Sequence, residues 1–86
     1  MAPRPPFTFR DAAATDVARA YAWYEKEQHG LGERFLHAVG DAAGRAASEP
    51  ERFPVIRGDV RRALVDRFPY GVYFRVIRGR VIVVAC

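Results

Sequence analysis

The stretch Val60–Cys86, VRRALVDRFPYGVYFRVIRGRVIVVAC, decides the fold. It is rich in β-branched and aromatic residues, which suit half-buried pleated surfaces. Two interruptions divide it. Phe68-Pro69 separates Val60–Val65 from Tyr70–Ile77, and Arg78-Gly79 separates Tyr70–Ile77 from a last strand that starts at Arg80 or Val81 and runs to Cys86. Arg78-Gly79 reads as a two-residue hairpin turn. That turn places Val76 opposite Val81, Phe74 opposite Val83 and Val72 opposite Ala85, six side chains on one face. Tyr73, Arg75, Ile82 and Val84 fall on the other face, and a slip of one residue would exchange the two.

Upstream, the pattern changes from period 2 to period 3.6. Phe7 to Arg10 alternates as a short strand, and Asp11 is a plausible N-cap for a helix from about Ala12 to Gln28. Its stripe is Ala14, Val17, Ala18, Tyr21 and Tyr24, with Trp23 at the rim. Such an aromatic stripe reads as core, not as a cofactor box. His29-Gly30-Leu31-Gly32 breaks the helix, with Gly30 as the left-handed C′ residue. A second helix runs from Gly32 or Glu33 to Ser48 with Leu31, Phe35, Val39, Ala42 and Ala46 in one stripe and Leu36 and Ala43 beside it. The short connection predicts an antiparallel helical hairpin. Residues 49–59 read as a loop punctuated by Pro50, Pro54 and Gly58, with Phe53 and Val55 at the core edge. The expected fold is one α+β domain over 1–86, with residues 1–6 as an extended Pro-rich arm. Its order is β-α-α-β-β-β, an antiparallel sheet with a helical hairpin packed on one face.

Composition narrows the function classes. Half of the 86 residues are apolar, so the chain has the means to bury a core. One cysteine, Cys86, makes no internal disulfide, and MAPRPPF has no apolar signal-peptide region. The longest apolar run, Val81 to Cys86, is far too short to span a bilayer. The expectation is a soluble cytoplasmic protein. The net charge of +4 is uneven: residues 1–56 carry six Arg and Lys26 against eight acids, whereas residues 57–86 carry seven Arg against Asp59 and Asp66. A GC-rich genome raises Arg and Ala content generally, but it does not place the excess in the last third.

Arg57, Arg61, Arg62, Arg67, Arg75, Arg78 and Arg80 lie on or beside the expected sheet, interleaved with Tyr70, Tyr73 and Phe74. Arginine beside exposed rings suits phosphates with base stacking or an acidic protein partner; the plain alternative is a solvated face of mutually stacked Tyr and Arg. His29 and His37 sit in different elements with no third ligand nearby in sequence, so no metal site is expected. The chain has no phosphate-binding glycine loop and no GxSxG. Glu49 and Glu51 are close together but belong to a loop at a helix end, where glutamates are usually solvated.

The series Tyr21-Ala22-Trp23-Tyr24-Glu25, Gly30-Leu31-Gly32-Glu33-Arg34-Phe35-Leu36, Pro50, Phe53-Pro54, Val60-Arg61-Arg62, Arg67-Phe68-Pro69-Tyr70 and Val72-Tyr73-Phe74-Arg75-Val76 closely resembles the RelE/ParE superfamily of type II toxins, most of all the branch labelled plasmid stabilization proteins. The resemblance covers residues 7–86. It implies the β-α-α-β-β-β fold, no cofactor and a cognate antitoxin that is acidic where it wraps the toxin. It implies one of two growth-inhibiting activities. ParE-like members poison DNA gyrase by protein contact, and RelE-like members cleave mRNA on the ribosome. Arg61, Arg62 and Arg75 match the superfamily's basic sheet positions. Arg61 and Arg62 are the catalytic candidates if the chain is a nuclease, although no general acid or base matches. In the nuclease branch a basic residue commonly sits near Tyr70-Gly71, and a catalytic His or Tyr follows the last strand, past the point where this sequence stops. The expected activity is therefore ParE-like, with Arg61, Arg62, Tyr73, Arg75, Arg78 and Arg80 as the partner-binding set. The alternatives are a ribosome-dependent endoribonuclease and a truncated, inactive toxin that still binds antitoxin.

Overall fold

The sheet register starts at Arg78 and Gly79. In the computed structural model, which describes residues 6–86, both have positive φ, 53° and 74°. Two successive left-handed residues form the tight turn whose twist matches that of the flanking strands. The turn joins β4 (Gly71–Ile77) to β5 (Arg80–Ala85), with Ile77 opposite Arg80, Val76 opposite Val81 and Phe74 opposite Val83. The expected pairing holds to that point. Between Tyr73 and Phe74 the register shifts, and Ala85 stands opposite Tyr73 instead of Val72. The extra residue on β5 is a bulge, which changes which side chains face inward. Cys86 packs against the core as a result. Val72, Phe74, Val81 and Val83 are buried as expected, but Val76 near the turn is exposed.

β3 (Val60–Leu64) pairs antiparallel with β4, and β1 (Phe7–Phe9) pairs parallel with β5. The sheet is therefore mixed, not wholly antiparallel. No tight hairpin links β1 to β5, so nothing forces those two strands to oppose each other. A further strand, β2 (Val55–Arg57), pairs with β3 inside the segment read as a loop, after a 3-10 turn at Pro50–Arg52. It is three residues long, exposed throughout and irregular in register, as edge strands often are. The order is β1-β5-β4-β3-β2. Of the arm expected over residues 1–6, residues 1–5 lie outside the described residues.

The helices α1 (Asp11–Glu27) and α2 (Leu31–Ser48) cover one face of the sheet. Asp11 occupies the first turn of α1, where its charge complements the helix dipole. The N-cap is Arg10, and no side chain caps that end. The buried stripe of α1 is Ala13, Ala20 and Tyr24, with Val17 and Tyr21 partly buried. Ala14 and Ala18, expected in the stripe, instead line a shallow apolar groove with Leu36 and Gly40 on the outside of the hairpin. On α2 the stripe of Phe35, Val39, Ala42 and Ala46 is buried as expected. Trp23 is 59% exposed. Among the described residues no helix is long and apolar enough to cross a membrane.

The corner between the helices has its own lock. Gly30 is left-handed, φ 87°, and is the residue that starts α2 rather than the C′ residue of α1. The Glu25 carboxylate accepts from the Gly30 amide at 3.0 and 3.1 Å, from the Gly32 amide at 3.0 Å and from His29 Nδ1 at 3.0 Å. It thereby satisfies amides at the α2 N-terminus that no helical carbonyl can reach. The Gly30 amide, then the Gly32 amide and His29, hold the Glu25 carboxyl below its ordinary value of 4.5. A carboxylate with a depressed folded pKa stabilises the fold above its unfolded pKa and ceases to do so as pH falls through the folded value. The difference in melting temperature between the wild type and Glu25→Gln should therefore be full near neutrality and shrink below about pH 4.5. Thermal melts across that range check it. A pH-independent difference would show that the ionised carboxylate is not what holds the corner.

Candidate functional site: the open face of the sheet

The face of β3, β4 and β5 turned away from the helices carries the side chains in question. Directly opposite residues share a face, so Arg62 with Tyr73, Leu64 with Gly71, Arg75 with Ile82 and Ile77 with Arg80 all stand there. β1 adds Thr8 opposite Ile82.

Of the six expected partner-binding residues, Arg62, Tyr73, Arg75 and Arg80 share the open face, whereas Arg61 and Arg78 stand apart from it. Arg61 stands opposite buried Phe74, on the helix side of the sheet, and its Nη1 donates to the Phe53 carbonyl at 2.6 Å. Arg61 and Arg62 thus project to opposite faces. Arg75 is on the open face, but Nε and Nη2 clasp the Asp59 carboxylate at 3.0–3.1 Å. That fork holds the Asp59 carboxyl below its ordinary value. Arg80 donates from Nε and Nη2 to Thr8 Oγ1 at 3.1 and 2.7 Å, and from Nη2 to the Phe7 carbonyl at 3.3 Å. It fastens β1 to β5. Arg78 sits in the exposed turn.

Arg62 and Tyr73 remain. They are cross-strand neighbours, and the Arg62 stem lies over Gly71. A Cβ at position 71 would stand 3.1 Å from Arg62 Cγ and 3.2 Å from Cδ. The glycine therefore leaves the space that the arginine stem fills. Arg62 Nε is buried with no hydrogen-bond partner. Three residues of this site do not stand out in the sequence as partner-binding candidates: Asp59, Thr8 and Gly71. Asp59 has a signal, being one of two acids in a basic third; Gly71 has none, because its role appears only in the pairing.

The other candidates lie elsewhere. His37 opens onto a cleft of about 840 Å³ between α2 and the β3–β4 loop, lined also by Tyr24, Leu31, Asp41, Asp66, Arg67 and Phe68. His29 is held by Glu25 at the hairpin corner. Glu49 pairs with Arg52 at 3.3 Å on the surface, and Glu51 is exposed. Burial, with Asp16 nearby, pushes the Cys86 thiol up to about 11, so it stays protonated near neutrality. Among the described residues no group of three His, Cys, Asp or Glu side chains is placed to hold a metal ion. Chemically, the open face offers the half-buried guanidinium of Arg62, the Tyr73 phenol and a neutralised Arg–Asp pair beside the exposed side chains of Leu64 and Ile77. Of these groups the Asp59 carboxylate is occupied by Arg75, and the Tyr73 phenol stands on the same face.

A family model described as the ParE toxin of type II toxin-antitoxin system, parDE, matches residues 7–85. The fold is similar to that of a solved chain described as "Chromosomal ParDE TA system from P. aeruginosa", with a TM-score of 0.79 and 16% identity over 92% of this chain and 89% of that one. No curated protein matches the sequence. With the match spanning every strand and both helices, the chain belongs to the ParE toxin family of type II toxin–antitoxin systems.

Proposed function

We propose that this chain is the growth-arresting half of a toxin–antitoxin pair, that a cognate antitoxin neutralises it, and that it acts by protein contact on DNA gyrase. The observation that carries the reading is the ParE family match over residues 7–85. The chemistry of the open face supports it. Hydrolysis of a phosphodiester by general acid–base catalysis needs groups positioned to move protons. On this face Asp59 is tied to Arg75 and both histidines lie elsewhere, which leaves the Tyr73 phenol as the remaining proton-bearing group of those named above. Contact surfaces, in contrast, favour Tyr and Arg among aliphatic side chains.

The test has two parts. Expression in a bacterial host should arrest growth with a DNA-damage response, and an acidic protein encoded beside the toxin should rescue it. Purified chain mixed with gyrase and DNA should block supercoiling or trap cleaved DNA. Growth arrest with gyrase unaffected and mRNA cut at ribosomal A-site codons would replace this reading with the endoribonuclease one. Expression without any growth defect, with antitoxin binding retained, would mark the chain as an inactive toxin.

A further inference from the structure

We propose that the turn end of the sheet is a contact site for the phosphate backbone of duplex DNA, made by Arg57, Arg78 and Arg80. The proposal deepens the gyrase reading and rests on it for the source of the DNA, since gyrase holds the duplex that a bound toxin stands beside.

Two hairpin tips meet at this end. Gly58-Asp59 joins β2 to β3, and Arg78-Gly79 joins β4 to β5. β3 and β4 are neighbours, so the tips lie two strand spacings apart, about 10 Å. The fork from Arg75 to Asp59, at 3.0–3.1 Å, ties one hairpin to the other. Residues 55–60 and 75–80 together carry four arginines and a single acid, Asp59. Most of the chain's net charge of +4 is therefore concentrated at one end of one sheet. Arg57 and Arg78 are exposed and have no acceptor among the described residues. Arg80 is bonded to neutral acceptors, Thr8 Oγ1 and the Phe7 carbonyl, which orient its guanidinium and leave its charge uncompensated. Cations spaced in this way suit the successive charges of a backbone better than one small anion.

Arg78 is an expensive residue for its place. Its φ of 53° suits glycine, asparagine or aspartate, and the hairpin needs no cation in order to close. A positive charge is thus kept at the tip at some cost in stability, as happens where a side chain serves binding. The other left-handed non-glycine residue, Arg67, has Asp66 beside it and Asp41 lining the same cleft, so no cationic cluster forms there. The absence of rings then selects the ligand. Single strands and RNA loops are gripped by stacking their bases on aromatic side chains. Residues 55–60 and 75–80 include no aromatic residue. Arginines without rings meet the phosphates alone, which a duplex presents along its outside with its bases paired within.

The test is fluorescence anisotropy of the whole chain on two short labelled duplexes of unrelated sequence, from about 50 mM salt upward. The two duplexes should bind alike, and a single strand of either should bind more weakly. Affinity should fall with salt at a log–log slope of about −3, for three neutralised phosphates. Arg78→Asn keeps a left-handed turn and removes the cation. It should bind about tenfold more weakly at the lowest salt, lose about one unit of slope and melt no lower than the wild type. Arg57→Gln should lose a similar share of the slope. Asp59→Asn releases Arg75 and should bind more tightly, with a slope steeper by about one unit. Arg19→Gln, which removes an exposed cation from α1, should bind as the wild type does. No duplex binding at the lowest salt, or an unchanged slope in Arg78→Asn, would overturn the contact. So would equal losses from Arg19→Gln and Arg78→Asn, or a single strand that binds more tightly than the duplex. The gyrase assay separates this from the broader reading. A chain that inhibits gyrase without binding duplex loses the DNA contact and keeps the gyrase reading, whereas a chain that binds duplex through Arg78 and leaves gyrase unaffected does the reverse.

Discussion

Phe35→Ala should lower the free energy of unfolding by about 3–5 kcal/mol, the range for removing a large aromatic side chain from a core. Phe35 is fully buried. Its ring lies 5.2 Å from Tyr24, 5.3 Å from Phe68 and 5.2 Å from Tyr70, centroid to centroid. Tyr24 comes from α1, Phe35 from α2, and Phe68 and Tyr70 from the segment between β3 and β4. One side chain therefore ties both helices to the sheet. The neighbours cannot simply fold into the gap, because Tyr24 already packs on Phe68 at 5.0 Å and on Tyr70 at 6.2 Å. Domains of this size have about 5–15 kcal/mol in total, and small ones lie toward the lower end. The variant should therefore sit close to unfolding at room temperature. Urea titration with near-UV circular dichroism measures the loss. Phe35→Leu, which keeps most of the volume, should cost much less. A loss under about 1 kcal/mol for alanine would mean that the cluster relaxes freely, contrary to its interlocked rings.

The parts of this fold that sequence reveals are those with local chemistry. Arg78-Gly79 announces a turn, and alternation on both sides of it places Phe74 opposite Val83 without any knowledge of the rest of the chain. The bulge near Tyr73 has no such marker. Val81 to Ala85 is a continuous apolar run, so no polar residue shows where the extra position falls, and the inward place passes to Cys86. Direction is equally silent in β1. Three residues can pair either way, and the parallel choice comes from how the helical hairpin returns the chain to the sheet. On α1 the alanines at 12, 13, 14, 18, 20 and 22 leave the phase of the stripe open by one position. The packing chose Ala13 and Ala20 over Ala14 and Ala18.

The arginines show the same division. Their clustering in the last third is plain in the sequence, and strand periodicity alone is enough to separate Arg61 from Arg62. Which arginines are already engaged is not legible there. Arg75 meets Asp59 from 16 positions away, and Arg80 meets Thr8 from 72 away. Both are tertiary contacts with no local trace. Counting cations therefore overstates what the face can bind; the paired arginines shape and brace the sheet.

Gly32→Ala should destabilise the protein by about 1–3 kcal/mol, the usual cost of forcing extra volume into a packed site. The direction is the point, because alanine inside a helix is ordinarily favoured over glycine by about 1 kcal/mol. A Cβ on Gly32 would lie 2.8 Å from both Cδ2 and Cε2 of Tyr21 and 3.0 Å from Glu25 Oε1. These are neighbours with little room to retreat. The Tyr21 ring is partly buried between the helices, with its hydroxyl 3.5 Å from Glu33, and the Glu25 carboxylate is held by the Gly30 and Gly32 amides and by His29. Relief must come from opening the angle between α1 and α2 or from breaking the Glu25 lock. Gly44 gives the internal control. It lies on the same helix, and a methyl group added there would meet nothing within 4 Å, so Gly44→Ala should stabilise by about 0.5–1 kcal/mol. A double-mutant cycle locates the conflict: in a Tyr21→Ala background the Gly32→Ala penalty should shrink by about 1 kcal/mol or more. Equilibrium denaturation of the four proteins gives the coupling directly. If Gly32→Ala stabilises as Gly44→Ala does, the close approach of the two helices at this corner is not what requires a glycine there.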